Sequence, residues 1–398
     1  MTSTAKLKPA SELRRSGEHV IASIHGALPG PTLIILGGIH GNEPAGVHAA
    51  NRVLLRMQER RSVMRGSVLL LRGNTRALDQ GVRYISADLN RQWTAKNVRA
   101  AEVDRTATEV SELQEQSELL TVLQEVVSRA QGEVYFLDLH TTSAHGEPFA
   151  TVGDTLRNRR FALSFPLRIV LGLEEQIEGT LLEYTNNLGV ITMGFEAGQH
   201  EALTSVDHHE AVIWSATAAT GNFRCEDLPE LKECRSLLRR ASGGLRVVEV
   251  RYRHSIVPED RFKMEAGFKN FQPVRRGQLL AKDLGGEIKA SETGLILLPL
   301  YQALGDDGFF LGREVNSFWL NLSALLRRFK VGNYVHLLPG VCRNPLNENS
   351  LIINTSIARI LPLQIFHLLG FRRLRWTDKY LIVGRRAYDL KGPSKLNF

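Results

Sequence analysis

Residues 31–39, PTLIILGGI, are apolar at consecutive rather than alternate positions and close on a glycine pair. That is the pattern of a strand buried on both faces, which belongs to a sheet with helices on either side. The segments that follow agree. Residues 44–57 have helical spacing, and 67–74 (SVLLLRGN) form a second strand. Residues 102–130 place apolar side chains near i, i+3, i+4 and i+7 with acids opposite, most simply a solvated face over an apolar stripe. Further strands are expected at 133–140 (EVYFLDLH) and 189–196 (GVITMGFE), with a closing helix at 208–219. Short strands alternating with longer helices predict an α/β fold built on a mainly parallel, mixed sheet with flanking helices over residues 1–240.

From about residue 245 the texture changes. Glycines at 267, 277, 285, 286 and 294 punctuate short β-rich runs, which predicts a small all-β C-terminal domain over 245–325. Residues 331–398 are a basic C-terminal extension: of the net charge of +8, +7 lies there and +1 in the first 330 residues. Within it, 357–376 reads as an amphipathic helix that either packs on the body or lies in an anionic membrane interface, and the packed form is the simpler expectation. The basic balance carries no zinc finger, RNP-like or helix-turn-helix pattern, so nucleic acid is not an expected partner. Three cysteines (Cys225, Cys234, Cys342) build no disulfide framework. The N-terminus lacks the apolar core of a secretory signal, and no apolar run reaches the ~20 residues of a membrane-spanning helix. These features predict a cytoplasmic protein.

Three of the expected strands end in chemically capable residues: His40 and Glu43 follow the first, His140 ends the second, and Glu196 ends the third. In open α/β sheets, ligands bind beyond the carboxyl ends of strands, so one rule gathers these residues at one rim. Two imidazoles and a carboxylate are the donor set of a catalytic zinc site, with a fourth position left for water. Glu196 is then available as general base and acid. Gly37, Gly38 and Gly41 permit close approach of backbone and substrate.

The motifs GGIHGNEPAG (37–46), NTRALDQGVRYISADLNRQW (74–93), DLHTTS (138–143) and GFEAGQH (194–200) resemble the succinylglutamate desuccinylase/aspartoacylase family, which is related to the zinc carboxypeptidases. The resemblance implies one Zn2+ per chain held by His40, Glu43 and His140, with Glu196 as general base. It implies that Arg83 polarises the scissile carbonyl, that Asn90 and Arg91 grip a substrate carboxylate, and that Asp88 supports the site. Tyr301 corresponds to a tyrosine lent by the second domain. The implied activity is a zinc-dependent deacylase (amidohydrolase) acting on a small-molecule N-acyl amino acid or similar carboxylate. Aspartoacylase has a further arginine shortly before its catalytic glutamate, whereas residues 176–200 here contain no Lys or Arg. Arg157, Arg159, Arg160 and Arg168 lie upstream, and the acyl group and amino acid stay open. So does a homo-oligomer.

Two rivals remain at this stage, a metallocarboxypeptidase acting on peptides and a non-catalytic binding module using the basic extension. His208, His209 and Glu210 are adjacent on a helix, where neighbours face different sides, and a structural role is expected for them. His200 either lines the pocket or is structural, with the second expected.

Overall fold

The structure is a computed structural model of the chain and describes residues 19–103, 111–302, 304–354, 356–357, 363–376, 379–393 and 396. The first strands are β1 (Val20–His25), β2 (Leu28–Gly37), β3 (Arg65–Arg72), β4 (Val134–Thr142), β5 (Phe149–Val152), β6 (Arg168–Leu171), β7 (Ile191–Gln199) and β8 (Arg246–Ser255). They are followed by β9 (Lys263–Met264), β10 (Gln272–Val274), β11 (Leu279–Asp283), β12 (Gly286–Lys289), β13 (Gly294–Leu297) and β14 (Asp307–Glu314). An eleven-stranded mixed sheet runs in the order β1-β3-β2-β4-β7-β5-β6-β8-β14-β13-β10, and β3, β2, β4 and β7 are mutually parallel at its centre.

The consecutive apolar runs are buried on both faces by the two-residue repeat of a strand. In β2, Leu33 and Ile35 enter one core while Ile34 and Leu36 enter the other. Val68 and Leu70 of β3 and Leu137 and Leu139 of β4 join the first core, and their alternates Leu69, Leu71, Val134 and Phe136 join the second. The first core is covered by α1 (Ala45–Glu59), and the other helices of this part are α2 (Thr75–Gln80), α3 (Ala95–Val103), α4 (Ser111–Arg129), α5 (Leu156–Ala162), α6 (Leu181–Asn187), α7 (Leu203–Thr220) and α8 (Leu231–Ala241). Leu119, Leu120, Leu123 and Val127 of α4 cover the second core.

The stretch expected as one helical period over 102–130 holds the end of α3 and the whole of α4, with 104–110 outside the described residues. Its acids are not all a solvated face: Glu112 and Glu115 are fully buried. The glycine-punctuated stretch is β-rich as expected. Four of its strands continue the main sheet, because β8 pairs in parallel with β6 and then antiparallel with β14. The others form a three-stranded sheet in the order β12-β11-β9.

The amphipathic helix expected over 357–376 is not what forms. After α9 (Ser317–Arg328) come β15 (Val341–Asn344), β16 (Asn347–Asn354), α10 (Leu363–Leu368), β17 (Phe371–Trp376) and β18 (Tyr380–Arg385). These strands make a four-stranded antiparallel sheet, β15-β16-β18-β17. Phe366, Phe371, Leu351, Ile353, Leu381 and Val383 form its own core, which needs both sheet and helix to close it. Residues 358–362 and the N-terminal 1–18 lie outside the described residues. No helix among the described residues is long and apolar enough to cross a membrane.

Cations of α9, of α10 and of the residue after β18 meet acids of the main body. Arg327 donates to Asp154 Oδ2 at 2.7 Å, and Arg386 pairs with Glu174 and Glu175. Burial works to raise the Asp154 carboxyl, yet Arg159, Arg327 and Arg386 together hold it far below the usual carboxylate range. His367 bridges Glu175 Oε2 at 3.1 Å and Glu249 Oε1 at 3.0 Å. Burial opposes its charge, but the two carboxylate hydrogen bonds win and raise the imidazole to about 9.

A folded-state pKa above the unfolded value of roughly 6.5 stabilises the fold fully below that value and is lost as pH rises through about 9. Urea unfolding of the wild type should therefore weaken between pH 6.5 and 9.5, and His367→Gln should remove that part of the slope. An identical slope in the two proteins would contradict the charged bridge.

Candidate functional site

Strand parity builds the site. The residues of β4 and β7 that do not enter the first core face the other side, and among them Asp138, His140, Gly194 and Glu196 line one cavity. The β4–β7 register sets His140 beside Glu196. His40 and Glu43 come from the turn after β2. That turn needs Gly38, at a φ of 74°, and Gly41, where a Cβ would lie 2.1 Å from the carbonyl carbon of Ala77. The amide of Gly41 donates to the carbonyl of Arg83 at 3.1 Å, tying this turn to the loop that carries Arg83 and Asp88.

Glu112 holds that second loop in place. Its carboxylate accepts from the amides of Ile85 at 2.6 Å, Ser86 at 3.0 Å and Ala87 at 3.1 Å. Glu115 accepts from the amide and hydroxyl of Thr75 at the start of α2. Sequence reasoning missed both acids. Their partners are mostly backbone amides, which leave no pattern in the sequence.

His40 Nδ1 lies 2.9 Å from Glu43 Oε1, and His140 Nδ1 lies 3.4 Å from Glu43 Oε2. The ligand atoms of these three residues all fall within 4.8 Å of one another. The outer nitrogens are already engaged: His40 Nε2 is 3.1 Å from Asp88 Oδ1, and His140 Nε2 is 3.1 Å from Asp138 Oδ2. Arg83 Nη2 sits 3.0 Å from His40 Nε2 and donates to Asp88 Oδ2 at 2.9 Å, so Asp88 accepts from both. In the tautomer in which each Nε2–H is given to a carboxylate, the two Nδ1 lone pairs face Glu43. Lone pairs facing a carboxylate need a positive charge between them, either protons or a metal ion.

The titration behaviour follows from this geometry. Burial works to raise Glu43, and His40 and His140 hold it well below the usual carboxylate range. Burial works to lower His140, and Asp138 and Glu43 raise it well above an ordinary imidazole. Two nitrogens and a carboxylate oxygen, backed by carboxylates, fit a zinc-type ion. Asp138 was missed in the sequence, although D-x-H on a strand puts both side chains on one face.

Glu196 lies part-buried beside this cluster, and its buried Oε2 finds no hydrogen-bond partner among the described residues. Burial pushes its carboxyl up to about 8; His140 opposes the rise, and Glu43 and Asp138 add to it. Arg83 lines the same cavity. Asn90 lines it too and accepts from the amide of Leu181 at 3.0 Å. Arg91 also faces the cavity, but Asp307 accepts from its Nη2 at 3.1 Å and Asp306 lies 3.7 Å from its Nε.

Tyr301 is not brought to the cavity. Its hydroxyl donates to the carbonyl of Glu265 and accepts from the amide of Phe268, both at 2.9 Å, while its neighbours Leu300 and Gln302 face inward. His200 lines the cavity between Thr141 Oγ1 at 2.7 Å and Gln302 Oε1 at 3.1 Å. His208, His209 and Glu210 do not converge: His208 donates to the Ala197 carbonyl, His209 packs edge-on against Phe195, and Glu210 pairs with Arg56.

An α/β domain that gathers two imidazoles, buried carboxylates and an arginine beyond the ends of neighbouring strands defines a candidate metal-binding enzyme. Residues 29–218 match the family described as succinylglutamate desuccinylase/aspartoacylase catalytic domain, and this stretch of the chain belongs to that family. Over 86 residues it is 35% identical to the succinylglutamate desuccinylase of Pseudomonas fluorescens (strain SBW25), covering 20% of this chain and 26% of the relative. Over 154 residues it is 29% identical to the N-acyl-aromatic-L-amino acid amidohydrolase (carboxylate-forming) of Xenopus laevis, covering 36% of this chain and 48% of the relative. The chain thus spans about a quarter and about half of the lengths of these two relatives. Among solved structures, the succinylglutamate desuccinylase/aspartoacylase from Rhodobacter sphaeroides shares the fold with a TM-score of 0.56 at 18% identity, covering 74% of this chain and 88% of that one.

If Asp138 orients the His140 imidazole, Asp138→Asn should weaken zinc affinity by about 10–100-fold in chelator competition, with the far-UV circular dichroism unchanged. Unaltered affinity in a folded variant would contradict that role.

Proposed function

We propose that the chain is a metal-dependent deacylase, an amidohydrolase that cleaves the amide of an N-acyl amino acid or a similar small carboxylate. The observation that carries the reading is the three-donor cluster with Glu196, whose Oε2 has no hydrogen-bond partner among the described residues, on the same cavity wall. His40, Glu43 and His140 would hold the ion, read as one zinc per chain, which when bound activates water and polarises a carbonyl.

The chain's own groups supply the rest. Glu196 takes the proton of the attacking water on its free Oε2 and returns it to the departing amine nitrogen. Arg83, whose Nη2 is anchored on Asp88, stabilises the charge that develops on the carbonyl oxygen. Asn90 is held by the start of α6 and orients the substrate together with Arg91. A substrate carboxylate has to compete with Asp307 and Asp306 for Arg91, so this grip is weaker than that of a free guanidinium.

The cavity, of about 180 Å³, is bounded on one side by Leu298, Pro299, Leu300 and Gln302 from the β13–β14 connection. A cavity of this volume favours a small acyl amino acid over the end of a peptide. Glu196→Gln should keep the bound metal and lower kcat by about two to four orders of magnitude, as expected for a group acting in the chemical step. Steady-state kinetics with zinc content measured in parallel checks this; undiminished turnover in the metal-loaded variant would overturn the role of Glu196.

A further inference from the structure

Helix α9 buries polar side chains and exposes apolar ones. Ser323 and Arg327, four residues apart on one side, are 1% and 3% exposed. Ser323 donates to the carbonyl of Leu368 at 2.9 Å, and Arg327 donates to Asp154 Oδ2 at 2.7 Å and to Asp389 Oδ1 at 3.2 Å. Phe318, Leu325 and the capping Phe329 stand at i, i+7 and i+11 on the opposite side, 62%, 51% and 72% exposed. The rotation of the helix is fixed by Arg327, because turning the apolar side inward would break a buried ion pair. Single exposed apolar side chains are ordinary, but a stripe of them backed by buried polar contacts marks a surface that meets something else. The short 3-10 helix that follows, Val331–Leu337, adds Tyr334 and Leu337, both exposed and three residues apart, hence on one side of it.

The charge around this surface has one sign. From Val315 to Asn347 the chain carries Arg327, Arg328, Lys330 and Arg343, and no Asp or Glu. Arg327 is taken up by Asp154 and Asp389. Arg328, three residues after Leu325, and Lys330, next to Phe329, have no carboxylate partner among the described residues. Lys330 also lines a cavity of about 550 Å³ together with Arg343 and Arg385. Arg343 meets only His336, at 3.4 Å, and the Arg385 guanidinium lies 5.0 Å from the centre of the Phe371 ring. The acids of that wall are Asp389, held by Arg327, and Glu348. Positive charge is therefore in excess beside the exposed apolar side chains.

Aromatic and aliphatic side chains rimmed by unpaired cations suit an anionic bilayer surface. Rings and leucines enter the headgroup boundary, while guanidinium and ammonium groups meet lipid phosphates. A second copy of the chain suits this face less well. A two-fold contact sets the same patch on both sides, so the free cations of each copy would meet like charge. We propose that the outward side of α9, together with Tyr334 and Leu337, is a docking surface for membranes of anionic phospholipid. Phe318, Leu325 and Phe329 insert, and Arg328 and Lys330 hold the phosphates. The surface lies upstream of 357–376, the stretch whose composition suggested membrane contact, and that stretch instead supplies α10 to the packed side of α9.

Co-sedimentation of the whole chain with sucrose-loaded vesicles tests the proposal. Vesicles made of phosphatidylcholine and phosphatidylglycerol in equal parts should take up the protein at low salt at least about tenfold more strongly than phosphatidylcholine alone, and high salt should release it. Leu325→Asn combined with Phe329→Ser should lower the uptake by at least about tenfold through lost apolar insertion. Arg328→Gln combined with Lys330→Gln should lower it by about tenfold or more through lost phosphate contacts. All four side chains are exposed, so the far-UV circular dichroism should stay as in the wild type. The two variants act through different groups, and either one decides the matter if the other misfolds.

No uptake by the anionic vesicles, or undiminished uptake by a folded double variant, overturns the proposal. Sedimentation velocity without lipid supplies the remaining outcome. A wild-type dimer that Leu325→Asn with Phe329→Ser dissociates would mean that a second copy covers the face, and this too overturns membrane docking.

Discussion

Glu43 stands between two imidazoles whose outer nitrogens are held by Asp88 and Asp138, so the inner Nδ1 atoms have only a carboxylate to face. In the tautomer that turns both Nδ1 lone pairs inward this arrangement takes a positive charge at its centre, and much of the surrounding structure serves to hold it. The turn after β2 must carry Gly38 and Gly41 to pack on α2, the parallel register must set His140 beside Glu196, and Glu112 must fix the loop that brings Arg83 and Asp88. Each of these is a backbone constraint. The chemistry of the rim therefore depends on the sheet being buried on both faces, since the two cores fix the strands from either side.

The C-terminal part of the chain, from α9 onward, gives its arginines a different meaning from the one the charge count suggests. Arg327, Arg372 and Arg386 are committed to Asp154, Glu183, Glu174 and Glu175 of the main body. Buried pairs of this kind contribute little net stability but make the loss of one partner costly, so they fix where the sheet docks. Two of the acids, Glu174 and Glu183, also line the cavity.

The central strands and the cluster were legible because both follow from short-range rules. Consecutive apolar residues mark strands buried on two faces, and His40, Glu43, His140 and Glu196 fall at their carboxyl ends. The tyrosine at 301 was misplaced because its ring belongs to a turn whose backbone faces the cavity through its neighbours. The buried acids of α4 were unreadable: on an amphipathic helix an acid whose partners are loop amides looks the same as one in water. Residues 371–376 failed for a further reason. A register shift between Arg373 and Arg375 in the β17–β18 pairing breaks the two-residue alternation that would have identified a strand.

The measurement that bears most directly on the account is metal content by elemental analysis of the purified wild type and of His40→Ala, both after zinc is supplied and excess dialysed away. One zinc per wild-type chain, lost in the variant, is the result expected of a cluster that needs positive charge at its centre. Wild-type protein that holds no metal under these conditions would mean that protons alone fill the space between the imidazoles and Glu43, and the hydrolase mechanism would fall with it.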